Sequence, residues 1–119
     1  MKCSLNEFEI AFYEGVLKQN PNHIDSLMLL AEAYTQKGLC EKGLALDQRL
    51  AVLCPDDPFV HYNLACSYAL TGKTEEAFQS LEQAIHLGYS DFEHLRKDPD
   101  LKNLYSDSRF TAVLQKYIK

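Results

Sequence analysis

The chain has 119 residues, a formal net charge of −5 and an apolar content of 46% that includes seven Tyr and six Phe. That length fills one small domain and that composition excludes a disordered chain. The acidic balance argues against nucleic acid as a partner, because the densest basic cluster, Arg96-Lys97, is followed at once by Asp98 and Asp100. No apolar run approaches the roughly 20 residues of a membrane span, and the start turns acidic before a signal region forms, so no membrane insertion and a cytoplasmic location are expected.

The first predicted element opens at Ser4-Leu5-Asn6-Glu7, which has the form of a capping box. Leu5, Phe8, Phe12 and Val16 recur at helical spacing until Asn20-Pro21-Asn22 stops the helix. A second helix covers His23 to Thr35 and ends at Lys37-Gly38, and a third runs from about Cys40 to Cys54. Asp57 is a good N-cap and Pro58 suits the first helical position, so a fourth helix is expected from Pro58 to Leu70. After the turn Thr71-Gly72-Lys73, a fifth begins at Thr74-Glu75-Glu76. Ser90-Asp91-Phe92-Glu93 predicts another capping box and a short helix to about Lys97. Asp98-Pro99 caps a further turn, and a last helix is expected from about Asp107 to Ile118.

Displacing the sequence by 34 residues superposes Leu30, Ala31, Tyr34, Gly38 and Glu41 on Leu64, Ala65, Tyr68, Gly72 and Glu75. These are the residues that fix a helix pair: a small residue at the crossing, a tyrosine one turn on and a glycine at the turn. A period of that length signals stacked supersecondary units.

In Leu64-Ala65, Tyr68, Gly72, Ala77 and Ala84 the second unit resembles the tetratricopeptide repeat (TPR) family. The first unit keeps Leu30-Ala31, Tyr34, Gly38 and Pro55, but has Gly43 and Leu50 where alanines are usual and Asp47 in place of a large apolar residue, which predicts looser packing of that helix. The second unit has His61 in place of a frequent Trp and Gly88-Tyr89 in place of a terminal proline. The resemblance implies an all-α fold, a right-handed superhelical stack of antiparallel helix pairs. Its expected organisation is one domain, with a half repeat over 1–23, repeats over 24–57 and 58–91, and a helical cap over 92–119. The C-terminal run is similar to a tail found in small bacterial TPR proteins, and a polar-faced terminal unit suits a stack.

Candidate chemistry is sparse. Cys3, Cys40, Cys54 and Cys66 lack Cys-x-x-Cys or zinc-type spacing, so reduced thiols are expected, with Cys54 beside Pro55 the one to check for reactivity. His61 and Cys66 sit about 140° apart around one helix and form no dyad. His86 and His94 show no partner at ligand spacing, His23 is read with them as structural or surface, and Gly72-Lys73-Thr74 lacks the flanking glycines of a phosphate loop. The acids Asp56-Asp57 and Asp98-Asp100 sit at helix starts, where capping explains them. No catalytic residue, metal or cofactor is expected, and the chain is read as a non-enzyme.

What remains is a surface. The resemblance implies a concave groove lined by the first helix of each repeat, here by Met28, Glu32 and Gln36 and by Phe59, Tyr62, Cys66 and Leu70. Because Leu64, Ala65 and Tyr68 already provide a packing face, the Pro58 to Leu70 helix is apolar nearly all round, and its extra apolar stripe is either covered by the C-terminal segment or left open for a ligand. Some relatives clamp the acidic C-termini of heat-shock chaperones with Lys, Asn and Arg on this face; Met28, Glu32, Tyr62 and Cys66 stand there instead. The function expected is a protein-interaction module or scaffold that binds a peptide or helix of a partner. The alternatives are a small secretion-type TPR chaperone, or a structural protein that homodimerises through its N-terminal helix.

Overall fold

The computed structural model describes residues 5–117, an all-α stack with extents of 45 × 26 × 25 Å. Its helices are α1 (Glu7–Gln19), α2 (Ile24–Gln36), α3 (Cys40–Leu53), α4 (Pro58–Leu70), α5 (Thr74–His86), α6 (Phe92–Lys97) and α7 (Ser108–Tyr117), with a 3-10 turn over Pro99–Leu104 between the last two. Among the described residues no helix is long and apolar enough to cross a membrane.

The helix boundaries follow from local chemistry. Gly38 and Gly72 end α2 and α4 with φ of 81° and 78°, a left-handed conformation that side chains with a Cβ disfavour. In both turns the residue after the glycine donates back five positions, Leu39 to the carbonyl of Tyr34 and Lys73 to that of Tyr68, each at 2.8 Å. Asp57 caps α4 by accepting from the N–H of Phe59, with Pro58 at the first helical position as expected. Two caps lie off the expected residue. Asn6 and Glu9, not Ser4 and Glu7, form the box of α1, and Ser4 lies outside the described residues. At α6 the cap is Asp91, which accepts from the N–H of His94, rather than Ser90.

The 34-residue period extends from sequence into contacts. The Tyr34 hydroxyl donates to Glu14 on α1, and the equivalent Tyr68 accepts from Gln48 on α3. Each tyrosine thus ties its helix to the one twenty residues earlier. Packing within pairs follows the small residues: Ala65, Ala77 and Ala84 are all fully buried, so α4 and α5 approach closely.

At Gly43 the expectation of looser packing fails. A Cβ placed there would lie 2.6 Å from Thr35 Oγ1 and 3.2 Å from the carbonyl oxygen of Ala31. Thr35 holds that space because its hydroxyl donates to the same Ala31 carbonyl at 3.0 Å. The first pair has exchanged alanine on α3 for threonine on α2. Gly43→Ala is therefore expected to lower stability, because overpacking of about 1–3 kcal/mol outweighs the gain of about 1 kcal/mol in helix propensity. In a Thr35→Ala background the same change should cost less, because only the 3.2 Å approach to the Ala31 carbonyl oxygen remains tight. Urea denaturation of the two single variants and the double variant checks the difference.

Two apolar clusters among the described residues meet at α4. Leu27, Leu50 and Val60 form a small cluster between the first pair and α4. A larger cluster joins α4 and α5 to the C-terminal segment, where Leu95, Leu101 and Leu104 are wholly buried with Phe110 and Val113. Arg109 fastens α7 to α5, its Nη1 2.6 Å from Glu75 and its guanidinium over the Phe78 ring. Cys40 and Cys54 are half-buried free thiols and Cys66 is buried. Cys3 lies outside the described residues.

Candidate binding groove

A cavity of about 350 Å³ opens where α2, α3, α4 and the C-terminal segment meet. Met28, Glu32 and Gln36 form the α2 wall, Asp47 and Leu50 the α3 floor, and Phe59, Tyr62, Asn63 and Cys66 the α4 wall. His94, Asp98 and Asp100 close the far side. Of the seven residues named from the sequence, six line this cavity. Leu70 instead borders a shallower hollow with Gly38, Leu39 and Thr71.

The α4 stripe is partly covered. The C-terminal segment closes over Tyr62 and Cys66, which keep 5% and 7% of their exposure, while Phe59 and Met28 keep 65% and 38%. Tyr89 stacks on Tyr62 with the rings 4.3 Å apart and nearly parallel, and meets Phe59 edge-on at 5.9 Å. Tyr62 then donates its hydroxyl to Asp98 Oδ2 at 2.6 Å. Burial, the largest cause, raises the Tyr62 hydroxyl far above the ordinary phenol range, so it stays a donor to this carboxylate. Burial also pushes Tyr89 up to about 12.

Asp98 is the hub of the far wall. Its Oδ1 accepts from the N–H of Asp100 at 3.0 Å, capping the 3-10 turn, and its Oδ2 lies 3.1 Å from His94 Nε2. Capping was expected of this residue; the buried network with Tyr62 was not. His94, expected to have no partner at ligand spacing, has one four residues on in Asp98. The donor atoms of Cys66, Asp98 and Asp100 all lie within 4.8 Å of one another, a set with the elements of a cation site. Asp98 already holds the Tyr62 hydroxyl and its own cap within that set.

Asp47 is the residue that sequence reasoning marked as out of place without giving it a role. It is 5% exposed, its Oδ2 accepts from the Ser67 hydroxyl, and it lines the cavity. Burial pushes its carboxyl up to about 6, partly opposed by the Ser67 hydrogen bond. With Glu32, Asp98 and Asp100 it gives the cavity four carboxyl groups, and no Lys or Arg is among the lining residues.

Residues 60–87 match the family profile described as Tetratricopeptide repeat. The chain is 31% identical over 122 aligned residues to the peroxisomal targeting signal receptor of Pichia angusta, covering 98% of this chain and 21% of that protein. It is 32% identical over 87 residues to the receptor of the same name from Candida albicans, covering 73% and 14%. With the mouse interferon-induced protein with tetratricopeptide repeats 2 it shares 27% identity over 104 residues, 80% of this chain and 21% of that protein. The chain thus spans about a fifth or less of the length of these relatives. The matched segment runs from Val60 in α4 to Leu87 at the end of α5, the helix pair with the alanine crossing and the glycine turn. Together with the helical stack and its repeating tyrosine contacts, that match makes the chain a member of the tetratricopeptide repeat family.

Proposed function

We propose that the chain is a protein-interaction module that holds a segment of a partner protein, extended or helical, in the groove walled by α2, α4 and the C-terminal segment. The observation that carries this is the pair of large apolar side chains, Phe59 and Met28, left exposed at a concave opening of about 350 Å³. Burying such groups on a partner is favourable, and they sit on the inner helices of a repeat stack, where ligands of this architecture dock. Relatives named as receptors for a targeting signal fit the same reading. The division into a half repeat, two repeats and a cap is part of the proposal, with the cap shaping one end of the groove.

Phe59, not Tyr62, is the residue to test. Removing Tyr62 would open a cavity and take a hydrogen bond from the buried Asp98, confounding binding with stability. Proteins captured from a native lysate are identified by mass spectrometry, and the bound fragment is then titrated against wild type and Phe59→Ala. A loss of affinity of tenfold or more with an unchanged unfolding midpoint is expected. Equal affinity of the two proteins would place the partner elsewhere.

A second reading, homodimerisation through α1, draws on one observation: Phe8 and Phe12 are 80% and 59% exposed one turn apart on that helix. Light scattering decides it, since a monomer at high concentration leaves those residues without a second copy.

A further inference from the structure

The cavity that holds the groove's floor has a charge pattern that selects its occupant. We propose that it receives the lysine or arginine side chain of an extended partner segment, with Asp47 as the principal counter-charge. This rests on the groove reading above and adds the chemistry of the ligand to it.

Charge complementarity carries the argument. Glu32 on α2, Asp47 on α3, and Asp98 and Asp100 on the C-terminal segment line one cavity, and His94 is the sole basic side chain among the lining residues. Capping explains Asp98, which is further satisfied by Tyr62, and Asp100 stands in the first turn of the 3-10 helix that Asp98 caps. Asp47 has no such explanation. It sits in mid-helix on α3, is almost wholly removed from solvent, and among the described residues its contact is one hydroxyl, that of Ser67. No cation among the described residues neutralises it, and its raised pKa reflects burial without a compensating positive charge. An incoming ammonium or guanidinium supplies that charge in a setting of low effective dielectric, where a pair is worth more than at the surface. The geometry above it suits the rest of such a side chain. Phe59 and Met28 form an apolar rim at the mouth, against which the methylene stem of Lys or Arg packs while its head group enters. The repeat resemblance expects a large apolar residue at position 47; aspartate there exchanges packing for a buried anion that faces the groove.

The bland alternative is that Ser67 alone satisfies Asp47 and that the acids follow the net charge of −5. A random heptapeptide library displayed on phage and selected on the wild-type protein separates the two. The expected result is enrichment of Lys or Arg at one position flanked by apolar residues. An enriched peptide is then synthesised with Lys or Arg and with norleucine at that position, and both are titrated by fluorescence anisotropy against wild type, Asp47→Asn and Glu32→Gln. Asp47→Asn keeps the side chain's shape and its contact with Ser67. It is expected to weaken the basic peptide at least tenfold while leaving the norleucine peptide unchanged, with a smaller loss for Glu32→Gln. Selection of apolar peptides without a basic preference, or equal losses for both peptides, overturns the cation pocket and leaves the groove standing. Failure to enrich any peptide overturns both.

Discussion

Leu101→Ala is expected to destabilise the protein by about 2–5 kcal/mol, the range for removing a fully buried leucine from a core that cannot collapse around the gap. Leu101 has no exposed surface and belongs to the cluster that joins α4 and α5 to the C-terminal segment. The same cluster includes Ala65, Ala69 and Ala77, small residues on closely packed helices, so few side chains are free to move into the space. The 3-10 turn that presents Leu101 is held at one end by Asp98 and braced by Asn103, which donates to the Ala69 carbonyl at 3.2 Å. Urea denaturation followed by circular dichroism gives the value. A cost below about 1 kcal/mol would mean that the C-terminal segment contributes little to the folded stack.

Asp47→Asn is expected to change how stability depends on pH. The folded carboxyl titrates at about 6, above its ordinary value of 3.8, so the folded state binds the proton more tightly than the unfolded chain. The favourable contribution of the neutral form is complete below about pH 4 and is lost as pH rises through 6. A shift of about two units corresponds to about 3 kcal/mol lost by neutral pH. Wild type should therefore gain stability relative to Asp47→Asn on acidification, by about 1.4 kcal/mol between pH 7 and pH 5. Taking the difference cancels the other carboxylates, which both proteins share. Parallel stability curves for the two proteins would show that Asp47 is already compensated.

The parts of the fold that were legible in the sequence depend on residues close together in the chain. Gly38 and Gly72 needed their left-handed conformation, Asp57-Pro58 fixed a helix start, and the tyrosine and alanine pairs one period apart placed the crossing helices. Capping was harder because Ser4-x-x-Glu7 and Asn6-x-x-Glu9 share one spacing, and pattern alone does not choose between overlapping boxes. The groove walls on α2 and α4 were readable as stripes at helical spacing. The far wall was not, since Tyr62 meets Asp98 across 36 residues, through a turn whose path is set by where Leu101 and Leu104 bury. Leu70 was misplaced for a related reason: it continues the α4 stripe in sequence, but faces the inter-helix hollow beside Gly38 and Thr71. Gly43 shows the limit of comparison with a family pattern. Glycine in place of alanine suggested empty space, which Thr35 fills from the opposite helix.

The walls of the cavity are drawn from both sides of the stack. Met28 and Asp47 come from the helix pair that the small cluster supports, whereas Tyr62 and Asp98 come from the side anchored by the large one. On the proposed groove reading, a ligand in the cavity would touch both sides and act as a clasp between them. By mass action, such a ligand would favour molecules in which the two sides are packed together, and its affinity would fall by the fraction in which they are not. Substitutions in α3 that loosen this packing far from the cavity would then alter affinity without touching the ligand.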